Sequence, residues 1–545
     1  MANVKFPRKE FEKYVKLTPK MQEQIHMFGT PLESLTKDEI EIEIFPNRPD
    51  LLSMHGYLRA FLGFLGKKKG LKQYKINKPE KDYQITIDKS VLEVRPYTAC
   101  AIIKNIKFTD DKIKEVIDIQ EKIHNTFGRN RKKIAIGIYP LEKIKLPIKY
   151  LAEDPNKIKF VPLEANKEMT GKQILSQLST GRDYAHLLRD KKEYPIFTDA
   201  NNEILSMPPI INSHKTGKIS EKTKDIFIEC SGFDINSLKK TLNILVTMFA
   251  DLGGEIYQMN IKHPKTNYTT PDLTPEKAKL DTNHVNKLLG IKLDDKQIKN
   301  NLEKMGYNYN KGNVEIPAWR TDILHEHDII EDVAIAYGYD NFTPEIPEVA
   351  TIGQENPIEI SKRKISQILQ GLNMLETSSY HLTTKDSQFK KTNKKPENII
   401  EIEDSKTEYN IIRQDLIHYA LKILSENNDA EYPQQIFELG RIFSLDKKAE
   451  TGIKESENLC VSIASPTTNF TEIKQILDYL MRMLDKEYRI ENSENSYFID
   501  GRCGKIIVNK KEIGFIGEIN PNILSNLKIK MPISSFEINI DELLD

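Results

Sequence analysis

Four acidic residues downstream of Trp319, the only tryptophan of the chain, have the types and spacing to hold a metal ion. Residues 317–340 read PAWRTDILHEHDIIEDVAIAYGYD, which predicts a helix with Asp322 at its N-cap. Asp328, Glu331 and Asp332 stand at i, i+3 and i+4, so their carboxylates share one helix face. Asp322 lies about one and a half turns earlier and reaches the same end. Clustered carboxylates, with no Cys and with no His on that face, suit a hard oxygen-seeking cation such as Mg²⁺. Spacing alone equally fits a capped helix whose acids face water or pair with Arg320. His325 and His327 sit among the acids at a spacing that gives them no common partner, so they read as structural or surface residues.

A second candidate lies in residues 223–232, TKDIFIECSG. In a strand, Ile226, Ile228 and Cys230 point one way and Asp225, Phe227, Glu229 and Ser231 the other. The first set is a core face. The second mixes an aromatic ring with acid and hydroxyl groups, as a pocket for an aromatic polar ligand does, or as a solvated strand face does. No phosphate-cradling GxxxxGK[ST], strand-linked GxGxxG, GxSxG, HExxH or kinase motif set is present.

Composition bounds the rest. A chain of 545 residues exceeds one core and suggests roughly three to five domains. Hydrophobic content of 39% and charged content of 29% belong to a soluble globular protein. Lys+Arg and Asp+Glu are both 80, so any nucleic-acid surface must be local. The basic run at 129–133 is one such stretch, otherwise a solvated face. Cys100, Cys230, Cys460 and Cys503 are far apart and form no CxxC, which fits a reducing cytoplasm. The charged N-terminus has no apolar signal core, and no run of 18 apolar residues predicts a membrane span.

The elements that must position these groups follow from patterning. Residues 40–45 alternate as a half-buried strand, 46–50 form a turn, and Asp50 is placed to cap a helix starting at 51–52. A helix is expected over 113–127 and a short buried strand over 134–139. Helices are expected over 281–289 and 294–305, with a strand at 313–316.

Arg320, Asp322, Ile323, Asp328, Glu331, Asp332, Val333, Ala334, Tyr337, Gly338 and Tyr339 together resemble the metal-binding helix of the phenylalanine–tRNA ligase beta subunit family. The string NRPDLLSMHGYLRAFLGF resembles that family's N-terminal domain. The order of pieces through 88–260 is similar to its editing domain in the archaeal and eukaryotic-cytosolic form. Arg413-Gln414-Asp415-Leu416, Phe437-Glu438-Leu439-Gly440-Arg441 and Gly517-Glu518-Ile519-Asn520-Pro521 resemble its C-terminal domain. The resemblance implies an α+β multidomain chain. It has an N-terminal α/β module (1–86), a tRNA-editing domain (87–262) and a small helical metal-binding domain (263–345). A class II synthetase-like antiparallel sheet domain (346–545) completes it. That last domain lacks the Gly-rich strand ending in an ATP-contacting Arg, so it carries no catalytic motifs.

The resemblance also implies Mg²⁺ on Asp322, Asp328, Glu331 and Asp332. It implies a catalytic alpha subunit that binds ATP and phenylalanine, in a heterotetramer of two alpha and two beta chains acting on tRNA(Phe). It implies hydrolysis of mischarged Tyr-tRNA(Phe), with Glu229 as partner of the tyrosine hydroxyl and Ser213, Asn212 and Ser231 holding the ester or a water. A free-standing editing hydrolase is the alternative, disfavoured by a C-terminal block that such an enzyme does not need.

Overall fold

The computed structural model describes residues 2–544. They form two compact units, Met1–Ile346 and Pro347–Asp545. In the first, Ile40, Ile42 and Ile44 of the strand Glu39–Ile44 are buried, as the alternation predicts. Asp50 does not cap a helix. It accepts a bidentate pair from Arg48, with both contacts at 2.9 Å, and the helix Met54–Phe64 is capped instead by Ser53. The fork-shaped guanidinium outcompetes a free backbone N–H for this carboxylate.

An eleven-stranded mixed sheet dominates this unit among the described residues. One half is antiparallel: Glu255–Lys262 pairs with Tyr97–Lys104, then Ile226–Gly232, then Ile134–Pro140. On its other side Glu255–Lys262 runs parallel to Gln84–Ile87. The helix Ile235–Asp251 buries Leu238, Leu242, Leu245 and Phe249 on one face of the sheet, against Ala99, Ala101 and Ile228. Each such side chain stabilises by about 1.5–3 kcal/mol through burial alone. The other face packs Cys100, Ile102, Tyr139 and Phe227 into a separate core. The first core runs on without a break into the N-terminal module (Val4, Tyr57, Phe61) and the region 280–336 (Leu302, Tyr307, Val333).

The second unit carries a seven-stranded sheet among its described residues, in the order Leu375–Glu376, Gln434–Leu445, Ile453–Ala464, Ile533–Asn539, Lys511–Ile519, Phe498–Val508, Arg489–Asn492. Only the two-residue outer pairing is parallel. Period-two alternation sends Leu459, Val461 and Ile463 to a core with the helices Pro357–Gly371 and Phe470–Met483. Cys460 and Ala464 go to a core with the helix Ile417–Glu426. All four cysteines are free and buried. No helix among the described residues is long and apolar enough to cross a membrane.

Candidate functional site

Glu229 enters a cavity of about 560 Å³. The walls are Val116 and Gln120 of the helix Asp110–Asn125, Ile136 and Ile138 of the edge strand, and Ser206 and Asn212. Cross-strand register explains the opening. Glu229 stands opposite Gly137. A Cβ at position 137 would lie 2.5 Å from Glu229 Oε1 and 2.3 Å from the Tyr139 hydroxyl. Glycine therefore leaves the space that these two polar ends fill.

The polar end of the cavity is a short hydrogen-bonded chain. The Tyr139 hydroxyl donates to Ser206 Oγ at 2.7 Å and lies 3.3 Å from Glu229 Oε1. Glu229 is 2% exposed, and its Oε2 is buried with no hydrogen-bond partner. Burial pushes the carboxyl up to about 8, against the opposing pull of Arg95, Tyr139 and Ser231. At neutral pH the group is mainly a neutral acid, which can both donate and accept. Arg131 Nε, in the same wall, is buried and unpartnered too; an unpaired carboxyl oxygen among apolar and polar side chains can take up a ligand hydroxyl.

The other sequence candidates divide. Asn212 is in the wall, with Oδ1 3.4 Å from the Tyr139 hydroxyl. Ser213 is buried at the start of the short helix His214–Gly217, and its N–H donates to Leu205 O at 2.8 Å, but it is not part of the wall. Ser231 accepts from Arg95 Nε at 3.2 Å and also lies outside the wall. Phe227 shares the predicted face, yet it is wholly buried and stacked on Tyr139 at 5.7 Å, so it supports the site from behind. In the basic run, Arg131 is built into the wall: it donates to Ile210 O and to Glu121 Oε1, both at 2.8 Å. Only parts of that run, such as Arg129, are exposed.

The acidic segment also departs from expectation. The helix is Glu326–Tyr337, and its N-cap is His325, whose Nδ1 accepts from His327 N at 3.2 Å. Asp322 lies upstream of that cap and holds Arg320 by two bonds, 2.8 and 2.6 Å long. Arg320 Nη2 also reaches Asp332 Oδ2 at 2.8 Å, and Tyr307 donates to the same oxygen at 2.5 Å. Asp328 Oδ2 accepts the N–H groups of Leu324 and His325, both at 2.7 Å. Partial burial and the charges of Asp332, Asp328 and Asp322 raise Glu331 above the usual range. That mutual repulsion is what a divalent cation relieves, and the donors are all hard oxygens. Two of the four already hold Arg320. Among the described residues no three His, Cys, Asp or Glu side chains converge on a metal-sized point. The four carboxylates therefore do not close a ligand shell by themselves.

Three family profiles match in succession: the B3/4 domain at 96–246, the tRNA synthetase B5 domain at 278–339, and the phenylalanyl-tRNA synthetase beta chain CLM domain at 343–540. The phenylalanine–tRNA ligase beta subunit of Pyrococcus furiosus is 40% identical over 498 residues, covering 90% of this chain and 89% of that protein. That of Archaeoglobus fulgidus is 38% identical over 530 residues, covering 96% and 95%. The chain belongs to the phenylalanine–tRNA ligase beta subunit family. A solved N-terminal fragment of the Pyrococcus horikoshii beta subunit superposes with a TM-score of 0.59 at 35% identity, covering 62% of this chain and 99% of the fragment.

The chain is thus a multidomain α+β protein, as the resemblance implied, with B3/4, B5 and CLM domains. Within it, Glu229 falls in the B3/4 match and the four acids in the B5 match. Tyr139, Ser206, Arg95 and Gly137 were not singled out as site residues from sequence. They reach Glu229 only through strand register and loop packing, and the one local signal was a glycine inside an otherwise apolar strand.

Proposed function

We propose that this chain is the beta subunit of a heterotetrameric phenylalanine–tRNA ligase. In this reading a catalytic alpha subunit binds ATP and phenylalanine and charges tRNA(Phe), and the beta chain clears Tyr-tRNA(Phe) made in error. The C-terminal unit is a class II synthetase-like body that docks rather than catalyses, and the complex works in the cytoplasm. The observation that carries the editing role is the buried, unpartnered Glu229 Oε2 in its cavity.

Tyrosine differs from phenylalanine by one hydroxyl. The neutral Glu229 carboxyl satisfies that hydroxyl, whereas a phenylalanine ring leaves Oε2 unpaired. Sites built to hydrogen-bond a hydroxyl reject the analogue lacking it by about 10⁴–10⁵-fold. An editing site needs this sign of selectivity, since the cognate product must be spared. Hydrolysis then requires a water to add to the ester carbonyl carbon and the bond to the ribose oxygen to break, with the proton passing to that oxygen. Asn212 and Ser206 cluster with Glu229 around the Tyr139 hydroxyl, at the end that takes the tyrosine hydroxyl. Reconstitution with an alpha subunit tests the assignment. Phenylalanine charging should appear only in the complex, and Tyr-tRNA(Phe) should be deacylated much faster than Phe-tRNA(Phe). Phenylalanine activation by this chain alone, or equal deacylation of the two products, overturns it.

The same reading places a Mg²⁺ among Asp322, Asp328, Glu331 and Asp332, held largely through water, since Mg²⁺ keeps several of its waters. Its role is structural. Asp328→Ala/Glu331→Ala should release bound magnesium, measured by elemental analysis after equilibrium dialysis, and should loosen assembly with the alpha subunit. Unchanged metal content in that variant sinks the site.

A further inference from the structure

A second cavity, of about 350 Å³, opens where the helix Met54–Phe64, residues 68–72, Asp251 and residues 305–320 meet. Arg48, Arg59, Arg320, Lys68, Lys69 and Lys72 line it, against only two acids, Asp50 and Asp251. Both acids are already engaged. Asp50 holds Arg48, and Asp251 holds Arg59 at 2.9 Å and Lys72 at 2.5 Å. Lys69 contacts only the neutral Asn300 Oδ1, at 2.6 Å. Arg320 is itself paired with Asp322 and Asp332, so the excess positive charge of the wall rests on Lys68 and Lys69.

Two buried nitrogens of this wall lack hydrogen-bond partners. Arg320 is 2% exposed, and its Nη1 has no hydrogen-bond partner. His55 Nδ1 is also unpartnered, with Glu115 Oε1 at 3.7 Å, beyond hydrogen-bonding reach. An unpaired buried donor is costly, and a buried guanidinium more so. The chain also repeats one device here. Arg48-Pro49-Asp50 and Arg320-Thr321-Asp322 each join Nε to Oδ1 and Nη2 to Oδ2 across two residues. Both pairs leave Nη1 outside the fork. Thr321 Oγ1 donates to Asn47 O at 3.1 Å and ties the two devices together.

We propose that this cavity binds a phosphate group. Arg320 Nη1 is its buried anchor, and Arg48, Lys68 and Lys69 supply the surrounding charge. Guanidinium groups suit phosphate oxygens in geometry as well as charge. The volume is within the range of small-ligand sites, roughly 300–1,000 Å³. The site is separate from the editing cavity, which shares no wall residue with it.

Trp319 lines the cavity and is the only tryptophan, so its fluorescence reports on this wall in the full chain. Titration with pyrophosphate should change Trp319 emission saturably, and calorimetry should give the same Kd. Lys68→Glu/Lys69→Glu alters exposed side chains and should raise that Kd at least tenfold with unchanged amide hydrogen exchange in the helix Met54–Phe64. Saturating tRNA separates the two sources of phosphate. Displacement of pyrophosphate by tRNA assigns the site to an RNA backbone phosphate, and additive binding assigns it to a free anion. A flat fluorescence signal, an equal response to chloride at matched ionic strength, or wild-type pyrophosphate affinity in the charge-reversed variant overturns the proposal.

Discussion

Glu229→Ala should lower Tyr-tRNA(Phe) hydrolysis by about 100-fold or more, because the hydroxyl-selecting group is lost from the cavity. Phenylalanine charging should be unchanged, since the change is confined to the cavity in the B3/4 match. A wild-type rate of Tyr-tRNA(Phe) hydrolysis in this variant would falsify the pocket assignment. Glu229→Gln separates charge from shape. Gln keeps a donor and an acceptor but cannot ionise, so wild-type hydrolysis should change with pH around about 8 and the Gln variant should not.

Stability gives the same groups a second readout. The folded Glu229 carboxyl is raised to about 8, and an unfolded Glu titrates near about 4.3. Between these values the folded chain binds a proton that the unfolded chain has released. The contribution of this group is therefore fully present below about pH 4 and falls as pH rises towards 8. Glu229→Gln should accordingly gain stability relative to wild type across that window and level off above it. A constant difference between pH 4 and 8 would show that the carboxyl is not raised.

Much of the frame was legible from residue patterning, and the reason is local. The strand Ile226–Gly232 alternates between two cores, so Ile226, Ile228 and Cys230 could be separated from Phe227 and Glu229 by period alone. The helices Thr282–Leu289 and Asp295–Lys304 lie within the ranges expected from sequence, and their first expected residues, Asp281 and Asp294, are the caps. What failed was competition between partners for one carboxylate. Asp50 and Asp322 were both read as helix caps, and both are held instead by the arginine two residues before them. Periodicity contains no term for a side chain folding back on its neighbour. It also cannot tell a side chain that lines a cavity from one packed behind it, which is the difference between Glu229 and Phe227. Register decides that, and register is a non-local property.

The largest stability effect should come from Arg413, which lies in the second unit and is 1% exposed at its side chain. Its Nη1 donates to Glu438 Oε1 at 2.8 Å and to Ser379 Oγ at 2.7 Å, and its Nε donates to Arg441 O at 2.7 Å. Gly440 makes room for it, since a Cβ there would lie 2.5 Å from Arg413 Nη2. Arg413→Met keeps the length of the side chain and removes the charge. Glu438 then stays buried with Ser379 as its remaining side-chain donor. Breaking one half of a buried pair costs about 3–5 kcal/mol, because the other charge is left uncompensated. A chain with two compact units has no single unfolding midpoint. Amide hydrogen exchange in the strands Gln434–Leu445 and Ile453–Ala464 is therefore the measurement, and protection there should fall by a factor of 100 or more, about 2.7 kcal/mol or above. Arg413→Met/Glu438→Gln should recover a large part of it, because the stranded charge is gone while the Ser379 contact can persist. Protection within threefold of wild type in the single variant, or no recovery in the double, would show that the pair does not hold this sheet.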